Sequence, residues 1–381
     1  MSSSRNIGLD YLRSLAILIV ICNHGLIGFF IDTSIVKFEG ITAALSVAAV
    51  ISIEWLFVLS GFLIGAMMIR SFDRQATWLH CARDFWLRRW FRTVPNYYLF
   101  VLVNLVLVTL GWARGTFEYK YFLFSQNLAW VETTPHFFGE AWSLALDEWF
   151  YVIMPVLVGL ITIVTSNRKV AFFGAAGVLI LFPVLARISH AAPTEFFQWD
   201  AEIRRITIYH LDATGWGVLA ASVNKWFPTW WRNRIKFKAA LGFLSMLAGV
   251  YFVQRLLIPH SMSQHGYAFA NAFSISLMAG GTFLAVPWLI SWRIRDFWLT
   301  WTVGKLSLFS YSIYLVHFPL IFIFRHFVVL NANSSALELF LVVAGWLSAI
   351  CLSSALLFHF FEKPVADLRE SFTKRVDASP F

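Results

Sequence analysis

Apolar residues fill most of this chain in long runs, each closed by a short polar break. The runs are close to the ~20 residues that carry a helix across a bilayer. About ten are readable: 9–31, 45–69, 94–113, 142–164, 170–188, 206–223, 238–257, 268–290, 303–329 and 336–360. Residues 41–69 exceed one crossing, so 41–49 are expected in or near the outer interface. The first run is too long for a signal-peptide core and no small-residue cleavage site follows, so it is expected to be retained. The pattern predicts an all-α polytopic membrane protein, with a transmembrane domain over 1–365 and a short charged tail over 366–381. No internal repeat or low-complexity stretch is visible.

Composition fits the bilayer. Of 381 residues, 59% are hydrophobic and 13% charged, whereas a soluble domain carries about 25% charge. Eighteen Trp and 39 Phe suit interfacial belts and lipid-facing surfaces. Cys22, Cys81 and Cys351 lie far apart, without CxxC or metal-ligand spacing, so neither a disulfide framework nor a metal site is expected.

A net charge of +9 raises nucleic acid as a partner, but its distribution argues against one. Arg70, Arg74, Arg83, Arg88, Arg89 and Arg92 follow the second run. Arg168 and Lys169 follow the fourth. Lys225, Arg232, Arg234, Lys236 and Lys238 follow the sixth, and Arg293, Arg295 and Lys305 the eighth. Lys363, Arg369, Lys374 and Arg375 follow the tenth. With Arg5 and Arg13 these make 22 of the 30 basic residues. By the positive-inside rule the alternation favours an even number of crossings with both termini cytoplasmic.

That topology gives each intramembrane ionisable residue a depth. His24 follows Arg13 by eleven residues, three turns plus ~20°, so both lie on one stripe of the first helix, ~16 Å apart. Arg13 is at the cytoplasmic end and His24 ~10 Å from the outer end. Glu148 and Asp212 lie ~9 Å in, and His317 ~18 Å in; Glu54 joins this layer if its span starts near residue 50. Buried charge is costly, so five such groups on separate helices point to one shared cavity. Within it, His24 is the candidate general base, because imidazole titrates near neutrality. Glu148 is the first choice for the carboxylate that would orient it. Arg88, Arg89 and Arg92 open the third span. They read either as ordinary lipid-facing charge or as a phosphate site for an anionic donor, which Arg13 would extend into the bundle.

Six motifs in order then resemble acyltransferase family 3, the bacterial membrane acyltransferases that decorate surface glycans and some secreted metabolites. They are Leu9-Asp10-Tyr11-Leu12-Arg13 with His24, Phe57 to Ile64 around Ser60, Arg88-Arg89 with Arg92 and Pro95, Trp142-Ser143-Leu144 with Glu148 and Phe150-Tyr151, Ser310 to Pro319 around His317, and Phe361-Glu362-Lys363-Pro364. Glu54 stands where an aspartate is expected. The resemblance implies a ten-helix core in the cell (inner) membrane. It also implies a cytoplasmic acyl-CoA co-substrate, with acetyl as the default group, and a hydroxyl acceptor, a surface or secreted saccharide or a secondary metabolite. No bound cofactor is expected. His24 would be the base or a transient acyl carrier, with Glu148 catalytic beside it. Arg13, Arg88, Arg89 and Arg92 would hold the donor. Glu54, Ser60, Trp142, Tyr151, Asp212 and His317 would form a substrate-binding or structural polar network. The loops 114–141 and 189–205 would shape the acceptor site. Many relatives carry an esterase-like domain after this core, and the chain is expected to act without one. The rival from another class is a proton-coupled transporter, since intramembrane His and Glu also build proton relays. Against it, no repeated pair of interrupted helices is visible.

Overall fold

The structure, a computed structural model, describes residues 6–30, 40–74, 77–190, 193–294, 296–331 and 333–368. Arg5, Arg295, Arg369, Lys374 and Arg375, the Arg74 side chain and the expected tail beyond residue 368 lie outside that description. The described residues form twelve α-helices: α1 Ile7–Phe30, α2 Ile41–Arg74, α3 Trp78–Thr109, α4 Ala141–Thr165, α5 Arg168–Ile188, α6 Phe196–Trp199, α7 Asp212–Trp226, α8 Pro228–Arg232, α9 Ile235–Leu256, α10 Gln264–Ile290, α11 Phe297–Phe327 and α12 Ala336–Leu357. Nine of them, α1 to α5 and α9 to α12, are long and apolar enough to cross a membrane. The chain is an all-α, multi-pass membrane protein.

The sixth predicted span differs from expectation. Residues 207–209 form a 3₁₀ turn and the helix begins only at Asp212. The backbone before it is held by the loop after α3, with Thr207 N donating to Asn127 O at 2.9 Å and Ile208 N to Leu128 O at 3.1 Å. At 15 residues, α7 rises ~22 Å, less than a full hydrocarbon core. It nevertheless runs antiparallel to α5 along nearly the whole of that helix. Asp212 at its start meets Arg187 in the last turn of α5. Lys225 near its end meets Asp73 at 2.5 Å, and Asp73 lies 3.9 Å from Arg168 at the start of α5. A short helix with irregular backbone before it is tolerated because protein, not lipid, surrounds it.

Two other boundaries move. The third helix starts at Trp78 rather than 94 and takes Pro95 within it, so the arginine run is helical rather than a loop. The second is continuous from Ile41, with Val47 and Val50 buried against Phe196 and Trp199; residues 41–49 are therefore its first turns. Its later part packs on α7 at backbone contact. A Cβ on Gly61 would sit 2.0 Å from Thr214 O, and one on Gly217 would sit 2.2 Å from Val58 O.

α1 and α11 run parallel, and their contacts form a ladder. Arg13 Nη1 donates to Ser307 Oγ (3.2 Å), His24 meets His317, and Arg325 Nη1 donates to Gly28 O (3.0 Å). The start of α1 also meets the end of α10, where Asn6 Nδ2 donates to Ile290 O at 3.0 Å. Glu362 lies 3.9 Å from Arg92 at the same end. That end, rich in arginine, is the basic end below; the opposite end carries residues 110–140, 189–190 and 193–211.

Candidate active site

The predicted ionisable residues do not share one cavity. They separate into a histidine pair, a cavity beneath it and two sealed pairs.

His24 Nδ1 and His317 Nε2 are 2.8 Å apart, with the rings nearly parallel at 6° and their centres 5.1 Å apart. His317 Nδ1 lies 2.7 Å from Tyr314 O. A carbonyl only accepts, so His317 Nδ1 carries the proton and, in the neutral ring, Nε2 carries the lone pair. His24 Nδ1 must therefore donate to it. In this tautomer His24 Nε2 is the unprotonated nitrogen. His317 is fully buried, and Trp346 Nε1 donates to its backbone oxygen at 3.2 Å. Trp346 reaches in because residue 25 is glycine; a Cβ there would lie 2.6 Å from the indole.

The partner of His24 is thus a second imidazole, not Glu148, which corrects the sequence expectation. Glu148 Oε1 accepts from Thr93 Oγ1 at 2.5 Å and faces α3. Position 148 lies on a cavity wall of α4, whereas His24 faces α11.

That cavity, of about 280 Å³, is lined from α1, α2, α3, α4 and α11. Toward the basic end it is bounded by Arg13, Arg89 and Arg92. Arg89 and Arg92 are three residues apart and share a face of α3 with Thr93. Arg88, ~100° around the helix, lies outside the cavity and beside Asp84 at 4.0 Å; it is not brought to the other arginines. The middle holds Ser60, Asp147, Glu148 and Tyr151. Ser60 Oγ donates to Asp147 Oδ1 at 3.1 Å, and Tyr311 OH donates to Thr93 O at 3.0 Å. The deep end carries Ser143 and Tyr314, whose hydroxyls are 2.7 Å apart. The Tyr314 ring is 5.5 Å from the His317 ring, so the histidine pair stands just beyond this end without lining the cavity.

Glu54 and Asp212 lie elsewhere. Both Glu54 oxygens are 2.9 Å from His210 Nε2, with both side chains fully buried. Asp212 accepts from Arg187 at 2.7 and 3.1 Å, again fully buried, and Ser276 donates to it as well. Satisfied buried ion pairs of this kind hold helices in register, here α5, α7 and α10. Trp142 stacks on His210 at 6.0 Å, and the Arg204 guanidinium lies 4.7 Å from its ring centre.

The opposite end closes over the histidines with a charged cap. Asp200 bonds Arg204 at 2.5 Å and Arg205 at 2.6 Å. Burial pushes its carboxyl up, but the two guanidinium groups outweigh burial and hold it at about 2. Burial raises Glu132 to about 7 against the pull of its hydrogen bond from Tyr121, and lowers its neighbour His136 to about 4. Gly139 of this cap contacts Phe318 at 3.6 Å, and Phe318 meets the His24 ring edge-on at 5.2 Å.

Sequence reasoning did not single out Thr93, Asp147, Ser143, Tyr311, Tyr314, His210 or Arg187. Most lay inside the quoted motifs, and an arginine within the apolar fifth run was itself a signal.

The chain is 26% identical over 395 residues to YrhL of Bacillus subtilis, a protein provisionally named a peptidoglycan O-acetyltransferase; the match covers 97% of this chain and 56% of that one. It is 25% identical over 202 residues to the peptidoglycan O-acetyltransferase OatA of Listeria monocytogenes, covering 49% and 29%. The chain thus spans about half the length, or less, of these curated relatives. No solved structure matches it. The family model of the acyltransferase domain, Acyl_transf_3, matches residues 6–358, nearly the whole length, and the chain belongs to that acyltransferase family.

Proposed function

We propose that this membrane acyltransferase moves an acetyl group from acetyl-CoA, entering at the basic end, to a saccharide hydroxyl presented from the opposite end. The relatives named for peptidoglycan O-acetylation support a glycan acceptor in the cell envelope. The observation that carries the reading is linear order. Arginines come first, then a cavity, then a hydroxyl pair, then an imidazole with a free nitrogen lone pair. The positive-inside rule supports a cytoplasmic basic end, and so a cytoplasmic donor.

The cavity sits at the small end of ligand pockets, which run from about 300 to 1,000 Å³. It suits the slender acyl-pantetheine arm of the donor, with the nucleotide phosphates left at Arg13, Arg89 and Arg92. His24 Nε2 takes the acceptor's proton as the acceptor oxygen bonds to the thioester carbon. The carbon–sulfur bond then breaks, and the proton passes from His24 to the departing thiolate. The resulting imidazolium keeps its Nδ1 hydrogen bond to His317, so the base needs no carboxylate beside it.

Labelled acetyl transfer to peptidoglycan fragments tests the reading. His24→Ala should remove turnover while the variant still binds acetyl-CoA; substantial residual turnover would sink it.

A further inference from the structure

Proton counting at the deep end of the cavity shows a donor held in reserve. Ser143 Oγ donates to Glu140 O at 3.1 Å. A serine has one proton to give, so at rest the 2.7 Å contact with Tyr314 is filled by the phenol. Tyr314 lines the cavity. Its O–H can rotate toward a new acceptor there while Ser143 keeps its bond to Glu140.

Charged groups surround this point. Ser143 lies in the first turn of α4, a 25-residue helix whose N-cap, Glu140, makes no side-chain cap bond. The positive end of the helix dipole lies at this point, with the Glu140 side chain beside it. The charges of Glu140, Arg204 and Arg205 all reach the Tyr314 phenol, the two guanidinium groups opposing the carboxyl. The backbone carbonyl of Tyr314 also fixes the His317 tautomer, so one residue ties the hydroxyl pair to the histidine pair.

We propose that the Tyr314 phenol is the hydrogen-bond donor that stabilises the oxyanion of acyl transfer. The inference rests on the acyltransferase reading above. As the acceptor oxygen bonds to the thioester carbon, the carbonyl π pair moves onto oxygen, and Tyr314 donates to it. The pair returns when the carbon–sulfur bond breaks, the thiolate takes the proton held by His24, and Tyr314 returns to Ser143. The donor is aimed where charge develops, which is where such a bond lowers the barrier rather than merely tightening binding.

The test uses the full chain in lipid nanodiscs. Acetyl transfer from acetyl-CoA to peptidoglycan fragments gives kcat, and acetyl-CoA binding and thermal unfolding are measured alongside. Tyr314→Phe should lower kcat about 10²–10³-fold with acetyl-CoA Kd within about twofold of wild type. Its unfolding temperature should hold, because Ser143 retains Glu140. Ser143→Ala, which leaves the phenol in place, should lose less than about tenfold. The proposal is overturned if Tyr314→Phe turns over within about threefold of wild type, if its loss follows weakened acetyl-CoA binding or unfolding, or if Ser143→Ala is the more damaging change. A wild-type protein that transfers nothing overturns the acyltransferase reading instead, so the two failures are distinct.

Discussion

At the residue scale, the proposed mechanism rests on which nitrogen of His24 is free, and His317 decides that. Replacing it with leucine removes the acceptor for His24 Nδ1–H, and the ring can then carry its proton on the wrong nitrogen. His317→Leu should cost about a hundredfold or more in kcat, and His317→Gln, whose amide oxygen can still accept, should recover part of it. Equal rates in wild type and the leucine variant would remove His317 from the mechanism. Arg13 acts at the other end of the stripe. Losing a hydrogen bond to a charged group costs about 1.5–3 kcal/mol, so Arg13→Ala should raise the acetyl-CoA KM about tenfold to a hundredfold with kcat largely kept. A loss confined to kcat would contradict donor binding there. The stripe itself was legible, because helical period is a property of spacing alone: Arg13 and His24 face α11 together, as eleven residues require. The partner was not. Equal depth made Glu148 plausible, but depth leaves rotation about the helix axis open, and that rotation turns Glu148 toward Thr93.

At the element scale, the sealed pairs hold the bundle and the cap closes it. Arg187 is fully buried against Asp212, so Arg187→Ala leaves a buried carboxylate without its charge partner. It should destabilise the protein by about 3–5 kcal/mol, read as a lowered unfolding temperature, with Asp212→Asn in the same chain recovering part. Additive losses would deny the coupling. The cap makes a pH prediction. Burial raises Glu132 from 4.5 to about 7, so the folded state binds its proton more tightly than the unfolded chain does. The stability this adds is full below about pH 4.5 and is lost as pH rises through about 7. Glu132→Gln stays neutral. Its unfolding temperature should therefore gain on wild type between pH 5 and 8, and parallel curves across that range would contradict the assignment. The long apolar helices were readable because hydrophobic length is local. α7 was not, because its start is set by loop hydrogen bonds to Asn127 and Leu128 and its shortness is allowed only by burial among α2, α5 and α10. The third helix was read from residue 94 because the arginines before it close the apolar run, whereas the helix itself reaches back to Trp78.

At the scale of the whole molecule, the described helices set a basic end against a charged cap, with the cavity bounded by arginines at one end and the histidine pair beneath the cap. This polarity was legible in the alternation of arginine-rich loops, which is a sum over many residues and survives errors in any single boundary. The convergence of all intramembrane charges on one cavity did not survive, because Glu54 and Asp212 found partners in His210 and Arg187 that bind them out of reach. What remains is a polar layout, on which group transfer and transport predict different outcomes. The most direct test seals the protein in vesicles of one orientation, with labelled acetyl-CoA on the basic side and peptidoglycan fragments on the other. The account predicts ester-linked label on the enclosed glycan, absent with His24→Ala. Label that crosses without becoming esterified, or esterification that persists in the His24 variant, would contradict it.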